Sequence, residues 1–461
     1  MACDRWAVLG CIGTKAAIIA TPELVNPEMT PTGTAKERSF DCDVIVIGGG
    51  PGGATAATDL VRRGRSVMLF EKARHPRFHI GESLLPMNIP ILERLGVLAE
   101  VDRIGIRKMG ADFPGENERG FNVFDFSRNP QELPAYAFQV KRAEFDEILL
   151  RNAQRAGVQV HEEAEVVSSA LSADDATVRV RASDGSEREV RARYLVDASG
   201  RDTALGAQWK LKRRHSQHRS AAVFAHFTGV ERRPEPFSGN ISIYRFHHGW
   251  IWVIPLTEDV MSIGAVCLPE VLKQRRGSLE DFLMDILRDV PGLDQRMAHA
   301  KLTGNLEAAG NYSYECSRIC GPRWIMVGDA GAFVDPVFSS GVYLAMHSAE
   351  RAAEVVNSVL DGKREAPLQR AYVREMRGGL REFSWFIVRF RTPALAWLFA
   401  NPRNVMGVEN AMIEMLSGHV FDARATLRRL RVFKLLYYIV SLTMWRDTLR
   451  HFREERRAAP G

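Results

Sequence analysis

The chain of 461 residues is 46% apolar and 26% charged, an ordinary globular composition, and 62 basic against 56 acidic residues give a formal charge of +6. The excess is local: residues 424–461 hold ten Lys/Arg against three acids, a net +7, and the rest of the chain nets −1. A broadly basic, nucleic-acid-binding body is therefore excluded in favour of a neutral body with a basic tail.

Residues 1–40 read as a disordered leader, or as the product of a start placed ahead of a true one at Met29. Their apolar stretch, residues 6–20, is broken by Gly13 and Lys15. It is too short for a bilayer and lacks the basic start of a signal peptide. Order is expected from Asp41. Val44–Ile47 is a β-branched run suited to a buried parallel strand. Six residues, Gly-Gly-Gly-Pro-Gly-Gly from Gly48 to Gly53, lead into a small-residue helix ending at Gly64. A second strand, Ser66–Phe70, is closed by Glu71, which completes a β-α-β unit.

Helices are expected at Pro90–Leu98 and Ala143–Ala156, and strands over 158–196 with a turn at Ser183–Ser186. Residues 219–268, rich in β-branched and aromatic side chains, predict a sheet. Ser278–Leu287 reads as a helix, Trp324–Val327 as a short buried strand, Gly341–Leu360 as a long helix, and 365–456 as helical throughout, with a segment starting at Asn401. The expected class is α/β: a Rossmann-like nucleotide domain over 41–360, a second sheet for substrate inserted at about 84–140 and 205–315, and a helical region 361–461. Cys3, Cys11, Cys42, Cys267, Cys316 and Cys320 are scattered without a C-x-x-C pair. Neither zinc nor a disulfide framework is expected; reduced cytoplasmic thiols are.

Gly48, Gly50 and Gly53 satisfy G-x-G-x-x-G. The first permits the tight turn, the second admits a pyrophosphate to the backbone, and the third lets helix and strand close. The helix start adds free N–H groups and a positive dipole end. Glu71 follows Gly50 by 21 residues, where an acid can take a ribose hydroxyl. Together these predict dinucleotide binding. Two later segments select the dinucleotide: Asp197-Ala198-Ser199-Gly200 after a strand, and Gly328-Asp329-Ala330 with Asp335-Pro336 before the Gly341 helix. With Arg142-x-x-Phe145-Asp146 they resemble the FAD-monooxygenase-like superfamily. That resemblance, over about residues 41–360, implies FAD as cofactor. It implies cofactor contacts from Gly48, Gly50, Pro51, Gly53 and Glu71, and from Ser83, Arg142, Asp329, Phe333 and Val342. No second G-x-G-x-x-G offers a nicotinamide site, which fits flavin received already reduced from a separate flavin reductase.

Gly249-Trp250-Ile251-Trp252-Val253-Ile254-Pro255 matches G-W-x-W-x-I-P, and here the chain resembles the flavin-dependent halogenases. In that family the paired tryptophans, here Trp250 and Trp252, keep flavin from hydroxylating the substrate directly. Gly81-Glu82-Ser83-Leu84-Leu85-Pro86 is a second halogenase-like segment. Lys108, 26 residues after Glu82, stands in the register of the family's catalytic lysine, ahead of Lys72 and Lys141. Ser340 and Gly341 match its halide-binding residues. Phe338 occupies the position at which tryptophan halogenases carry a glutamate that helps remove the ring proton. The departure resembles the phenol and pyrrole type and makes free tryptophan an unexpected substrate.

The resemblance implies that reduced FAD and O2 convert chloride or bromide to a hypohalous acid, which reaches the ring by way of Lys108. An FAD-dependent hydroxylase, a prenyl-chain-type reductase and a catalytically retired binding module are the alternatives. Val432–Trp445 is apolar but too short to span a bilayer. It reads as a lid on the substrate pocket, as a dock for an acidic acyl- or peptidyl-carrier protein holding the aromatic substrate, or as a membrane-surface helix.

Overall fold

Strand Cys42–Ile47 sits in the middle of an eight-stranded sheet because its side chains are apolar on both faces; all but Asp43 are buried to the last position. It pairs in parallel with Val67–Phe70 on one side and with the end of Glu187–Asp197 on the other, in the register Val46–Leu69 and Val46–Val196. Trp324–Met326 continues the parallel order beyond Glu187–Asp197. Ala176–Ala182 pairs antiparallel with Glu187–Asp197 around the turn at Ser183–Ser186, and Ala164–Leu171 pairs antiparallel with Ala176–Ala182 in turn. The computed structural model describes residues 39–450, apart from 116–119, 130–132, 215–219, 311–312, 403 and 422. The leader reading for 1–38, and Arg453, Arg456 and Arg457 of the basic tail, lie outside the described residues.

The carboxyl ends of three parallel strands converge on one place. Ile47 leads into the glycine turn and helix Pro51–Arg62, Phe70 into Glu71, and Met326 into Gly328–Ala330. Ligands of open α/β sheets bind at such strand ends.

A second, seven-stranded sheet runs in the order 301–310, 221–228, 260–267, 249–255, 241–246, 110–114, 121–125. Its strand Gly249–Pro255 is buried along its whole length. Period-two alternation divides that strand between two cores. Trp250, Trp252 and Ile254 join the large core shared with the first sheet, and Ile251 and Val253 join a smaller one under helix Leu279–Arg288. Ser278 and Asp281 form a capping box at that helix's start.

Two local expectations fail for identifiable reasons. The helix expected at Pro90–Leu98 is two helices, Asn88–Leu95 and Leu98–Ile104, because Gly96 takes φ +74 and ends the first. Asn401 does not begin a helix. It closes Pro393–Ala400, Pro402 follows, and helix Val408–Leu416 starts later. The other C-terminal helices are Gly341–Leu360, Glu365–Arg389 and Arg424–Thr443. Among the described residues, no helix is long and apolar enough to cross a membrane.

Candidate functional site

The strand ends open into a cavity of about 1050 Å3. Gly48 has φ +99, and a Cβ on it would lie 2.4 Å from the Ala198 carbonyl oxygen. A Cβ on Gly53 would lie 1.9 Å from the Gly48 carbonyl oxygen. Both positions therefore require glycine. Gly50 is different: the nearest atom to a Cβ there is the Arg77 guanidinium at 3.6 Å, so the approach to the backbone is open. Helix Pro51–Arg62 starts at Gly50 without a side-chain cap, which leaves its first amides for an anionic group.

Glu71 is buried, and its carboxylate accepts from Gly49 N at 2.7 Å and from Ala73 N at 2.9 Å. Arg142 is also buried. It forks onto Asp146 at 2.7 and 2.9 Å and donates to the Ile80 carbonyl at 3.0 Å, so its guanidinium holds the Ile80–Gly81 turn against its own helix. Asp329 follows strand Trp324–Met326, and burial pushes its carboxyl up to about 6 against the pull of Arg201, Arg142 and Lys212. Pro51, Phe333 and Val342 share the wall with these residues, and Arg201 lies over the Phe333 ring. An elongated dinucleotide fits this lining: open backbone at the glycine turn, an acid at the end of the second strand, and room as far as the aromatic wall.

Trp250 and Trp252 form that aromatic wall, their ring centroids 5.8 Å apart. Trp252 Nε1 donates to Ser262 Oγ at 3.1 Å, which fixes the ring. Its indole fits because Gly264 faces it across the strand pair. Gly341 and Val342 line the same cavity at the start of the long helix, and Ser340 is buried behind them as its uncapped N-cap. Phe338 points into a cluster of rings, with Phe390, Phe386 and Phe399 at 5.7, 6.3 and 6.4 Å.

Lys108 is 1% exposed at the end of strand Ile106–Lys108. Its Nζ donates to Ser83 Oγ and to the Leu84 carbonyl, both at 3.0 Å, and lies 5.6 Å from the Phe126 ring centroid. Ser83 is a wall residue, so the amine is one hydroxyl away from the cavity. Burial pulls the amine down to about 7, with Asp112 opposing. Lys72 is exposed and paired with Asp202, and Lys141 lies 3.9 Å from Glu144 near the surface. Neither has the burial of Lys108.

Two groups escaped the sequence reading. Arg77 reaches over the glycine turn, 3.7 Å from Glu71 and 3.5 Å from Asp146, and a basic residue six positions after Glu71 was the available signal. His226 Nε2 donates to Glu82 Oε1 at 2.9 Å, a pair 144 residues apart with no local signature. Glu82 is buried on the wall, and its Oε2 has no partner among the described residues.

The FAD-binding domain family matches residues 41–383. The tryptophan 2-halogenase of Chondromyces crocatus is 39% identical over 329 residues, which are 69% of this chain and 62% of that protein. The 1H-pyrrole-2-carbonyl-(peptidyl-carrier protein) brominase of Pseudoalteromonas luteoviolacea is 32% identical over 391 residues, 82% of this chain and 92% of that one. Among solved structures, the myxobacterial chondrochloren halogenase CndH is 34% identical with a TM-score of 0.72, covering 82% of this chain and 90% of its own.

Proposed function

The chain belongs to the flavin-dependent halogenases, and we propose that it places chlorine or bromine on an electron-rich phenol or pyrrole ring, free or held on a carrier protein. The buried Lys108 amine, one hydroxyl from the cavity, carries this reading. When bound, reduced FAD would supply the two electrons that bring O2 to the peroxide level, at which the oxygen can oxidise halide to hypohalous acid. A separate flavin reductase would deliver it reduced. Gly48, Gly50, Pro51, Gly53, Glu71 and Arg77 would hold its nucleotide end, and Ser83, Arg142, Asp329, Phe333 and Val342 its flavin end. The N–H groups of Ser340 and Gly341, at the positive end of the long helix, would hold the halide.

The protein's own part is separation and delivery. Trp250 and Trp252 would keep the aromatic substrate off the flavin. Lys108, neutral above about pH 7, would receive the halogen or orient the hypohalous acid by hydrogen bonding. Its apolar surroundings would exclude water that wastes the oxidant. The seven-stranded sheet is then the substrate-side half, entered as an insertion into the nucleotide domain, in a cytoplasmic enzyme.

The carrier-bound form of the substrate follows the brominase, whose own name specifies a pyrrole on a peptidyl-carrier protein. The other relative is named for position 2 of tryptophan. That position lies in the five-membered ring of indole, so an indole belongs in the panel even though Phe338 offers no base. The test is an assay with reduced FAD, chloride or bromide, and phenols, pyrroles and indoles, free and carrier-bound, read by halogen isotope pattern. Hydroxylated product, or peroxide alone, would return the protein to the hydroxylase alternative.

A further inference from the structure

Helix Arg424–Thr443 has an inner and an outer seam. Thr426, Leu430, Phe433 and Tyr437 form the inner one and are buried. Phe433 lies 5.3 Å from Phe386 and Tyr437 5.1 Å from Trp385, both on helix Glu365–Arg389. The outer seam is Arg424, Arg428, Arg431, Leu435, Ile439 and Leu442, all exposed and spaced 4-3-4-4-3. At 3.6 residues per turn these six fall on one line along the helix. Leu435 and Leu442 are 60% exposed and Ile439 49%. Trp445 and Arg446, both exposed, follow just past the helix end. Arg429 and Lys434, off the seam, turn instead to Glu414 and Glu382.

We propose that this outer seam is the docking surface for an acidic helix of the carrier protein that brings the tethered ring, which rests on the carrier-bound reading above. The charge order selects the occupant. Three arginines lead, three aliphatic side chains follow, and Arg446 closes the line, which complements an amphipathic helix with acids flanking a short apolar centre. A second copy fits poorly, because pairing the apolar centres of two such seams brings arginines toward arginines. A membrane-surface helix carries an apolar stripe along its full length with charges at its sides; here the arginines occupy half of the stripe itself. The seam is also placed for delivery. Its inner side touches Phe386, which lies 6.3 Å from Phe338, two residues before the Ser340–Gly341 helix start.

The test uses the full-length holoenzyme, a peptidyl carrier protein charged with pyrrole-2-carboxylate, and the same acyl group as a small pantetheine thioester. In Arg428→Glu/Arg431→Glu and in Leu435→Ser/Ile439→Ser, KM for the charged carrier is expected to rise about tenfold or more with kcat unchanged. Both constants for the small thioester, FAD absorbance and Tm are expected to stay as in the wild type. Lysines placed at acids of the carrier helix should restore part of the loss in the glutamate variant. Equal losses on both substrates, or none on the carrier, overturn the docking surface. Wild-type protein that turns over the thioester but no charged carrier overturns the carrier reading, and the surface with it. Seam-dependent binding to phosphatidylglycerol vesicles, with carrier kinetics unchanged, makes it a membrane face instead.

Discussion

Lys108 Nζ lies 3.0 Å from Ser83 Oγ, and the serine is the only atom bridge needed between that amine and the cofactor cavity. Lys108→Met keeps the length and removes the amine. It is expected to cut halogenation by about 10²–10⁴-fold, the range for a lost proton-transfer or nucleophilic group. The yellow absorbance of bound FAD should persist. Full chlorinating activity in this variant would remove Lys108 from the mechanism.

The same residue sets a pH signature. Burial lowers the Lys108 amine from its ordinary 10.5 to about 7. Between those values the unfolded chain binds the proton and the folded one does not, so this group makes stability rise with pH across that window and adds no slope below it, where both forms are protonated. Wild-type Tm should therefore gain on that of Lys108→Met from pH 7 toward 10.5. A constant difference in Tm between the two would mean an ordinary lysine. If the neutral amine takes the halogen, the single-turnover rate should climb through about pH 7 to a plateau.

Gly264 carries the position of a tryptophan. A Cβ there would lie 2.3 Å from Trp252 Cζ2 and 2.6 Å from Phe224 Cβ. Gly264→Ala is expected to cost about 1–3 kcal/mol, as overpacking does, and to turn the Trp252 ring out of its bond with Ser262. The checks are a lower Tm, altered tryptophan fluorescence, and more hydroxylated or uncoupled product per flavin oxidised. Wild-type values in all three would remove the indole from its barrier role.

Gly53→Ala tests the cradle. Its Cβ, 1.9 Å from the Gly48 carbonyl oxygen, would part helix from turn. Purified protein is expected without FAD, and titration with oxidised FAD should show affinity lowered by at least about tenfold. Unchanged FAD binding would show that helix and strand can separate without harm.

What the sequence revealed and what it hid follow from range. The glycine spacing and the tryptophan strand are short patterns whose meaning is set by neighbours a few residues away. Lys108 was legible only through its register, since nothing near it in sequence showed that Ser83 and Leu84 would accept its hydrogen bonds. The Glu82–His226 pair depends on a strand that joins the fold 144 residues later. Helix Arg424–Thr443 misled by composition. Val432–Trp445 reads as one apolar block, yet four of its large apolar groups, Leu435, Ile439, Leu442 and Trp445, face outward, and only the packing of Phe433 and Tyr437 on Trp385 and Phe386 separates the two seams.

Phe338 bears on substrate class. It is 2% exposed among the rings of Phe113, Phe386, Phe390 and Phe399. Phe338→Glu would restore the carboxylate of the tryptophan type, but into apolar surroundings. A carboxyl moved there without a matched partner costs a few kcal/mol, about 1–3 by mutational measures for a polar group, and holds its proton at neutral pH. A protonated acid cannot take the proton of a halogenated ring. The variant is expected to have a lower Tm, unchanged FAD binding and no new product on the six-membered ring of tryptophan. If that product appears, proton removal from this one position decides substrate class, and the phenol and pyrrole reading loses its basis in Phe338.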